Sequence, residues 1–185
     1  SWLLVPPPLD TTEIVRVGSE GWLTGNIFVD GSALHPRSPE MRRAGWSVCQ
    51  VSPSGRLIRG IYGHLPRRHS ELQQVRDAED YCVHILSQYA TGDITIHTDC
   101  EGTYYRGVRG PLPRAVAAKQ AREHMWSPFF AADVRAKWVK VKAHQDASLF
   151  PEGSYEAWCI QGNAHADRLA KAGAQKHFEH GRGDI

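Results

Sequence analysis

Ile27-Phe28-Val29-Asp30-Gly31 is a short apolar run that stops on an acid and a glycine. It has the pattern of a buried strand entering a turn. Two more runs follow closely: Gly45 to Val51 alternates through Trp46, Val48 and Gln50, and Leu57 to Tyr62 is bounded by Gly55 and Gly63. The short connections predict antiparallel pairing of these three strands. The period then changes. Val75, Ala78, Cys82, Ile85, Leu86 and Tyr89 recur at three- and four-residue steps, which predicts an amphipathic helix. Thr91-Gly92-Asp93 closes it, and Ile94-Thr95-Ile96-His97-Thr98 reads as a strand ending at Asp99. Residues 100–108 and 114–132 read as helices interrupted near Pro111 and Pro113, with Pro128 bending the second. Lys137 to Val141 reads as a strand, and Asn163 as the N-cap of a last helix running to about His177. The order βββαβααβα predicts an α/β fold, a mixed sheet covered by helices.

Composition bounds the rest. The 185 residues, 23% charged and 41% hydrophobic, suit one globular domain over 21–178, with a linker at 1–20 and a tail at 179–185. No apolar run approaches the ~20 residues of a membrane helix, and the first residues lack the charged and apolar regions of a secretory signal. Cys49, Cys82, Cys100 and Cys159 are widely spaced with no CxxC pair, which argues against a zinc ribbon or disulfide scaffold and for a reducing, intracellular setting. Net charge is +2, yet residues 105–142 carry nine Lys and Arg against two Asp and Glu. That basic segment between acidic ones suits either a polyanion partner or a solvated helix face.

The acids carry the chemistry. Asp30 and Asp99 end two strands, and carboxylates at neighbouring strand ends either converge on a cation or cap the turns that follow. Glu79 lies one turn after Val75, one turn before Val83 and three residues before Cys82, so it borders the helix face that meets the sheet. A carboxylate there is costly unless it is paired, metal-bound or reaching to the edge. Asp167 falls in the first turn of the expected last helix, where acids also complement the helix dipole. His144 follows a strand. Lys140 and Lys142 share one face of that strand and either steer phosphate or stay solvated.

Taken together, IFVDGSAL, QQVRDAED, ITIHTDC, WVKVKAHQD and GNAHADRLA resemble, in this order, the motifs of type 1 ribonuclease H over residues 26–177. The resemblance implies a five-stranded mixed sheet flanked by helices. It implies Asp30, Glu79, Asp99 and Asp167 as catalytic carboxylates holding two Mg²⁺ or Mn²⁺ ions, with His144 as an auxiliary residue for proton transfer or product release. Its substrate class is the RNA–DNA hybrid, whose RNA strand is hydrolysed to 5′-phosphate and 3′-hydroxyl ends. Gly31 and Ser32 become candidates for backbone contacts near the cleavage site, and Gln74 for the minor groove.

The match has departures. Glu71 in RHSEL competes with Glu79, although the spacing to Asp99 favours Glu79. Glu101 stands where the family often has Gln. The basic protrusion of some members is not evident, and Arg106, Arg109, Arg114, Lys119 and Arg122 are its candidate substitutes. The His144–Asp167 loop is long, with Phe150 and Trp158 in it. A catalytically inactive binding or scaffolding domain is the alternative, and another nuclease or transposase-like member of the wider superfamily is a third reading. The absent initiator Met and the run Pro6-Pro7-Pro8 fit excision from a longer polypeptide, such as a retroelement reverse transcriptase, against a free-standing enzyme.

Overall fold

In the computed structural model, which describes residues 5–180, one mixed sheet carries the chain. Its strands are β1 (Val15–Gly18), β2 (Leu23–Leu34), β3 (Arg43–Val51), β4 (Leu57–His64), β5 (Ala90–Thr98) and β6 (Val134–Lys140). The helices are α1 (Val75–Tyr89), α2 (Glu101–Arg109), α3 (Arg114–Ala117), α4 (Glu123–Ala131) and α5 (Tyr155–His180). The spatial order is β1-β4-β3-β2-β5-β6. β1 to β4 pair antiparallel, whereas β2–β5 and β5–β6 are parallel.

Two apolar layers flank the sheet. Ile27, Val29, Trp46, Val48, Ile94 and Ile96 bury with Ala78, Cys82, Ile85 and Leu86 of α1 and Met125, Trp126 and Phe129 of α4. Phe28, Cys49 and Val51 bury with Ala166 and Leu169 of α5. Side chains alternate between the faces of a strand, so Ile27 and Val29 belong to the α1 face and Phe28 and Asp30 to the α5 face. α5 lies very close to the sheet: a Cβ on Gly45 would stand 2.1 Å from the Ala174 nitrogen.

Four expectations are corrected. The sheet has six strands, not five, because Val15–Gly18, inside the expected linker, pairs with β4. Four residues, the last a glycine, give little periodic signal; pairing decides them. Asp30 lies well inside the twelve-residue β2 rather than at its end. The last helix begins at Tyr155, eight residues before Asn163, and continues through His180. Much of the long loop is therefore helix, and Trp158 packs edge-on against Phe28 and His97. The expected helix at 114–132 splits into α3 and α4, with Pro128 inside α4. Residues 1–4 of the linker and 181–185 of the tail lie outside the described residues. All four cysteines are free. Among the described residues no helix is long and apolar enough to cross a membrane.

Candidate active site

The parallel β2–β5 register matches Phe28 with His97, so Asp30 and Asp99, each two residues further on, emerge side by side. Below them, His97 stacks on Phe28 with ring centres 4.3 Å apart and shares a 3.0 Å hydrogen bond with the Ile27 carbonyl through Nδ1. After β5, the Cys100 amide donates to Thr98 Oγ1 (3.1 Å). This bond turns the chain into α2 and leaves Asp99 at the strand mouth.

Glu79 arrives from α1, which crosses β2 at Gly31. A Cβ there would lie 2.9 Å from Ala78 Cβ and from the Val75 carbonyl oxygen. Only a residue without a side chain admits the helix this closely. Carboxylate oxygens of Asp30, Glu79 and Asp99 consequently all fall within 4.8 Å of one another. Asp30 and Glu79 are buried, while Asp99 is half-buried.

This crowding shows in the acidities. Burial, then the negative charge of Asp99, push Asp30 up to about 7. Burial, then the Asp30 charge, push Glu79 well above the usual carboxylate range. Glu79 Oε2 is also buried without a hydrogen-bond partner. Bare carboxylates clustered this way are costly, and a divalent cation removes the cost. The donor set is all oxygen, which matches hard ions such as Mg²⁺ or Mn²⁺.

Asp167 lies outside the compact group but close enough for its charge to raise Asp30 further. It sits more than three turns into α5 rather than in a first turn, so the helix-dipole role is removed. Lys171, one turn on, holds Asp167 Oδ2 at 2.9 Å. Asn163, read from sequence as an N-cap, is instead a helix-interior residue whose Nδ2 lies 3.5 Å from Asp99 Oδ2. Its i,i+4 relation to Asp167 was the available signal, because that spacing puts both on one helix face.

His144 is exposed, with a left-handed backbone at φ 53°. Together with Lys142, Gln145, Asn163, Asp99 and Asp167 it lines a groove of about 130 Å³. A 2.9 Å bond from the Val141 amide to the Thr98 carbonyl anchors this loop beside Asp99. Lys140 Nζ donates to the Val141 carbonyl. The Gly31 amide donates to Asp30 Oδ1 at 3.0 Å, so it braces a carboxylate. Ser32 follows it in β2, opposite Gly45.

Gln74 precedes α1 and accepts from Arg122 through Oε1 (3.3 Å). Glu71 is exposed, 4.0 Å from Arg67, and stands outside the acidic group. Of the basic candidates, Arg106 pairs with Glu123 at 2.9 Å and lies over the Trp126 and Phe130 rings. Arg122 pairs with Asp77. Arg109, Arg114 and Lys119 remain exposed.

The sequence reading missed two buried polar residues. Gln73 caps strand edges by accepting from the Ala44 amide (2.9 Å) and donating to the Leu65 carbonyl (3.0 Å). Asp80, fully buried, accepts from Thr103 Oγ1 (2.7 Å), Trp126 Nε1 (3.0 Å) and Arg76 Nε (3.1 Å). The bonds to Thr103 and Trp126 lock α1 to α2 and α4, and the Arg76 bond lies within α1.

No protein-family model matches the sequence, and no curated protein does. Solved structures do resemble the fold. Ribonuclease H1 from the halophilic archaeon Halobacterium salinarum NRC-1 aligns over 82% of this chain and 97% of its own, with TM-score 0.52 and 14% identity. The foamy viral protease-reverse transcriptase in complex with RNA/DNA hybrid aligns over 82% of this chain and 20% of its own, with TM-score 0.57 and 17% identity. The ribonuclease H domain of the prototype foamy virus, PFV, aligns over 84% and 97%, with TM-score 0.50 and 17% identity. This chain therefore has a ribonuclease H-like fold.

Proposed function

We propose that the protein is a divalent-metal-dependent endoribonuclease that hydrolyses the RNA strand of RNA–DNA hybrids. The observation that carries this reading is the convergence of Asp30, Glu79 and Asp99 within 4.8 Å, from β2, α1 and the end of β5. A domain that only binds nucleic acid gains nothing from a cluster whose charges repel one another and the phosphates.

Asp30, Glu79, Asp99 and Asp167 would hold two Mg²⁺ or Mn²⁺ ions, whose chemistry when bound is to activate water and neutralise the leaving oxygen. The residues of the chain supply the rest. Asp30 feels the charges of both Asp99 and Asp167, so it would help hold an ion beside either. The Gly31 amide holds its Oδ1 in place. Asn163 orients Asp99 from α5. His144, exposed in the lining of the groove, accepts or returns a proton at an imidazole nitrogen. Lys142 attracts the phosphate that must enter a negatively charged groove. Ser32 and Gln74 are assigned contacts with the hybrid backbone and minor groove, where shape and 2′-hydroxyls are read rather than sequence.

Several of the similar structures come from longer polypeptides. One of them, a foamy viral protease-reverse transcriptase, was solved with an RNA/DNA hybrid. Tethering of this chain to a reverse transcriptase is part of the same proposal.

The test is cleavage of labelled RNA–DNA hybrid, duplex RNA and single-stranded RNA, with Mg²⁺ or with chelator. Metal-dependent cutting of the hybrid alone is expected, and its loss in Asp99→Asn. Tight hybrid binding without cutting under every metal tried would establish the scaffolding alternative instead.

A further inference from the structure

Most of the segment from Gln145 to Ile160 is used by no step of the proposed reaction, yet it builds a second groove beside the carboxylates. A 3₁₀ turn at Ala147–Leu149 is capped by Asp146, whose Oδ1 accepts from the Ser148 amide at 2.9 Å. Phe150 leaves that turn, and α5 opens at Tyr155. With the end of β6 these residues border a groove of about 240 Å³. Lys142, Gln145 and Ile160 line both this groove and the one that holds Asp99 and Asp167, so the two adjoin.

The walls are of two kinds. Val141, Phe150, Tyr155 and Ile160 are apolar or aromatic, whereas Lys140 and Lys142 bring positive charge against the negative charge of Glu156. Tyr155 is 59% exposed. Its ring is nonetheless braced, 26° from parallel to the Trp158 ring with centres 5.9 Å apart. Trp158 is itself fixed: its indole N–H donates to the Ser52 carbonyl at 2.8 Å, and its ring meets Phe28 and His97 edge-on. A ring that served only to pin the segment down would be covered. Tyr155 is held in place and left open.

We propose that this groove takes an unstacked nucleobase from a single-stranded extension of the hybrid bound at the carboxylates. Proteins that hold single strands combine aromatic faces, on which bases stack whatever their identity, with cations that track the backbone. Tyr155 and Phe150 supply the faces and Gln145 an amide for a base edge. Lys142, shared with the catalytic groove, supplies charge for the phosphate that joins duplex to extension. An uncharged apolar ligand would use the wall and leave both lysines without a role. A strand whose duplex part is held next door uses both. The assignment rests on the proposed binding of a hybrid at the carboxylates, independently of the cut itself.

The test is fluorescence anisotropy of labelled hybrids with the full chain carrying Asp99→Asn, which keeps the RNA intact. A blunt hybrid is compared with hybrids bearing a short single-stranded extension at each strand end in turn. At least one extension should tighten binding by about fivefold or more, as one stacked base does. That gain should vanish on adding Tyr155→Ala and persist with Tyr155→Trp, which keeps a stacking face. A 5-iodouracil in the same extension, which photo-crosslinks to rings it stacks on, should join to Tyr155 or Phe150. Because Tyr155 is exposed, the alanine variant retains the fold, which circular dichroism verifies. Tightening and crosslinking without any cleavage by the native chain would leave the groove standing and remove only the nuclease reading. No gain from any extension, a gain unchanged in Tyr155→Ala, or crosslinks confined to other residues would each overturn the proposal, while cleavage of the blunt hybrid would preserve the nuclease reading.

Discussion

The backbone nitrogen of Glu79 lies 2.8 Å from the position a Cβ on Gly31 would occupy. The missing side chain is what lets α1 cross β2 closely enough to bring Glu79 to Asp30. Gly31→Ala should push helix and strand apart, at a cost of about 1–3 kcal/mol for an overpacked contact. Mg²⁺ affinity and hybrid cleavage should fall together, cleavage by at least about tenfold. Denaturant unfolding and Mg²⁺ titration of the variant check both effects.

Glu79 and Glu71 are separable by substitution. Glu79→Gln removes a buried charge that Asp30 and Asp99 oppose. It should abolish cleavage while raising the metal-free Tm at pH 8. Glu71→Gln alters an exposed side chain and should leave cleavage and stability within error. A stable, fully active Glu79→Gln protein would remove Glu79 from the site.

pH should act through Asp30. Its carboxyl is raised from 3.8 to about 7, so folding favours its protonated form. The resulting stabilisation of the metal-free protein is complete below pH ~4 and is lost as pH rises through ~7. Divalent ions bind the ionised form. The increase in Tm on adding Mg²⁺ should therefore be small at pH 5.5 and grow toward pH 8. Melting curves with and without Mg²⁺ across this range test it, and in Asp30→Asn the growth with pH should shrink.

Asp80 is the structural acid of α1. Asp80→Ala strands the buried Trp126 indole N–H and Thr103 hydroxyl, whose bonds it accepts. Each unsatisfied buried donor costs about 1–3 kcal/mol, so a loss of about 2–5 kcal/mol in urea unfolding is expected. Residual cleavage by the folded fraction should persist at permissive temperature, in contrast with Asp99→Asn.

Lys171 holds Asp167 at 2.9 Å through a largely exposed ion pair. Such pairs contribute about 0.2–1 kcal/mol. Lys171→Ala should leave stability nearly unchanged. Freed of its partner, Asp167 should then bind divalent ions up to about fivefold more tightly. Isothermal titration with Mn²⁺ measures the difference.

Much of this molecule was legible in its residue order. The apolar runs at 27–29, 45–51, 57–62 and 94–98 all became strands, since alternation or a short apolar run records burial locally. The three- and four-residue recurrence from Val75 to Tyr89 marked α1 to its ends. The acidic residues were identifiable because motif and spacing reside in the chain itself. Elsewhere the local signal failed. β1 exists through its pairing with β4, and α5 begins eight residues early because Trp158 is packed against Phe28 and His97. Asn163 looked like a cap because nothing before it in sequence predicted helix.

By itself, then, the amino-acid order determined which side chains carry negative charge and on which element most of them sit. Tertiary structure decided which of those charges meet: parallel β2–β5 register joined Asp30 to Asp99, the glycine crossing admitted Glu79, and Glu71 was left in solvent. The physical reason is range. Periodicity and capping act over a few residues, whereas carboxylate repulsion and helix–strand approach act between atoms that only folding brings together.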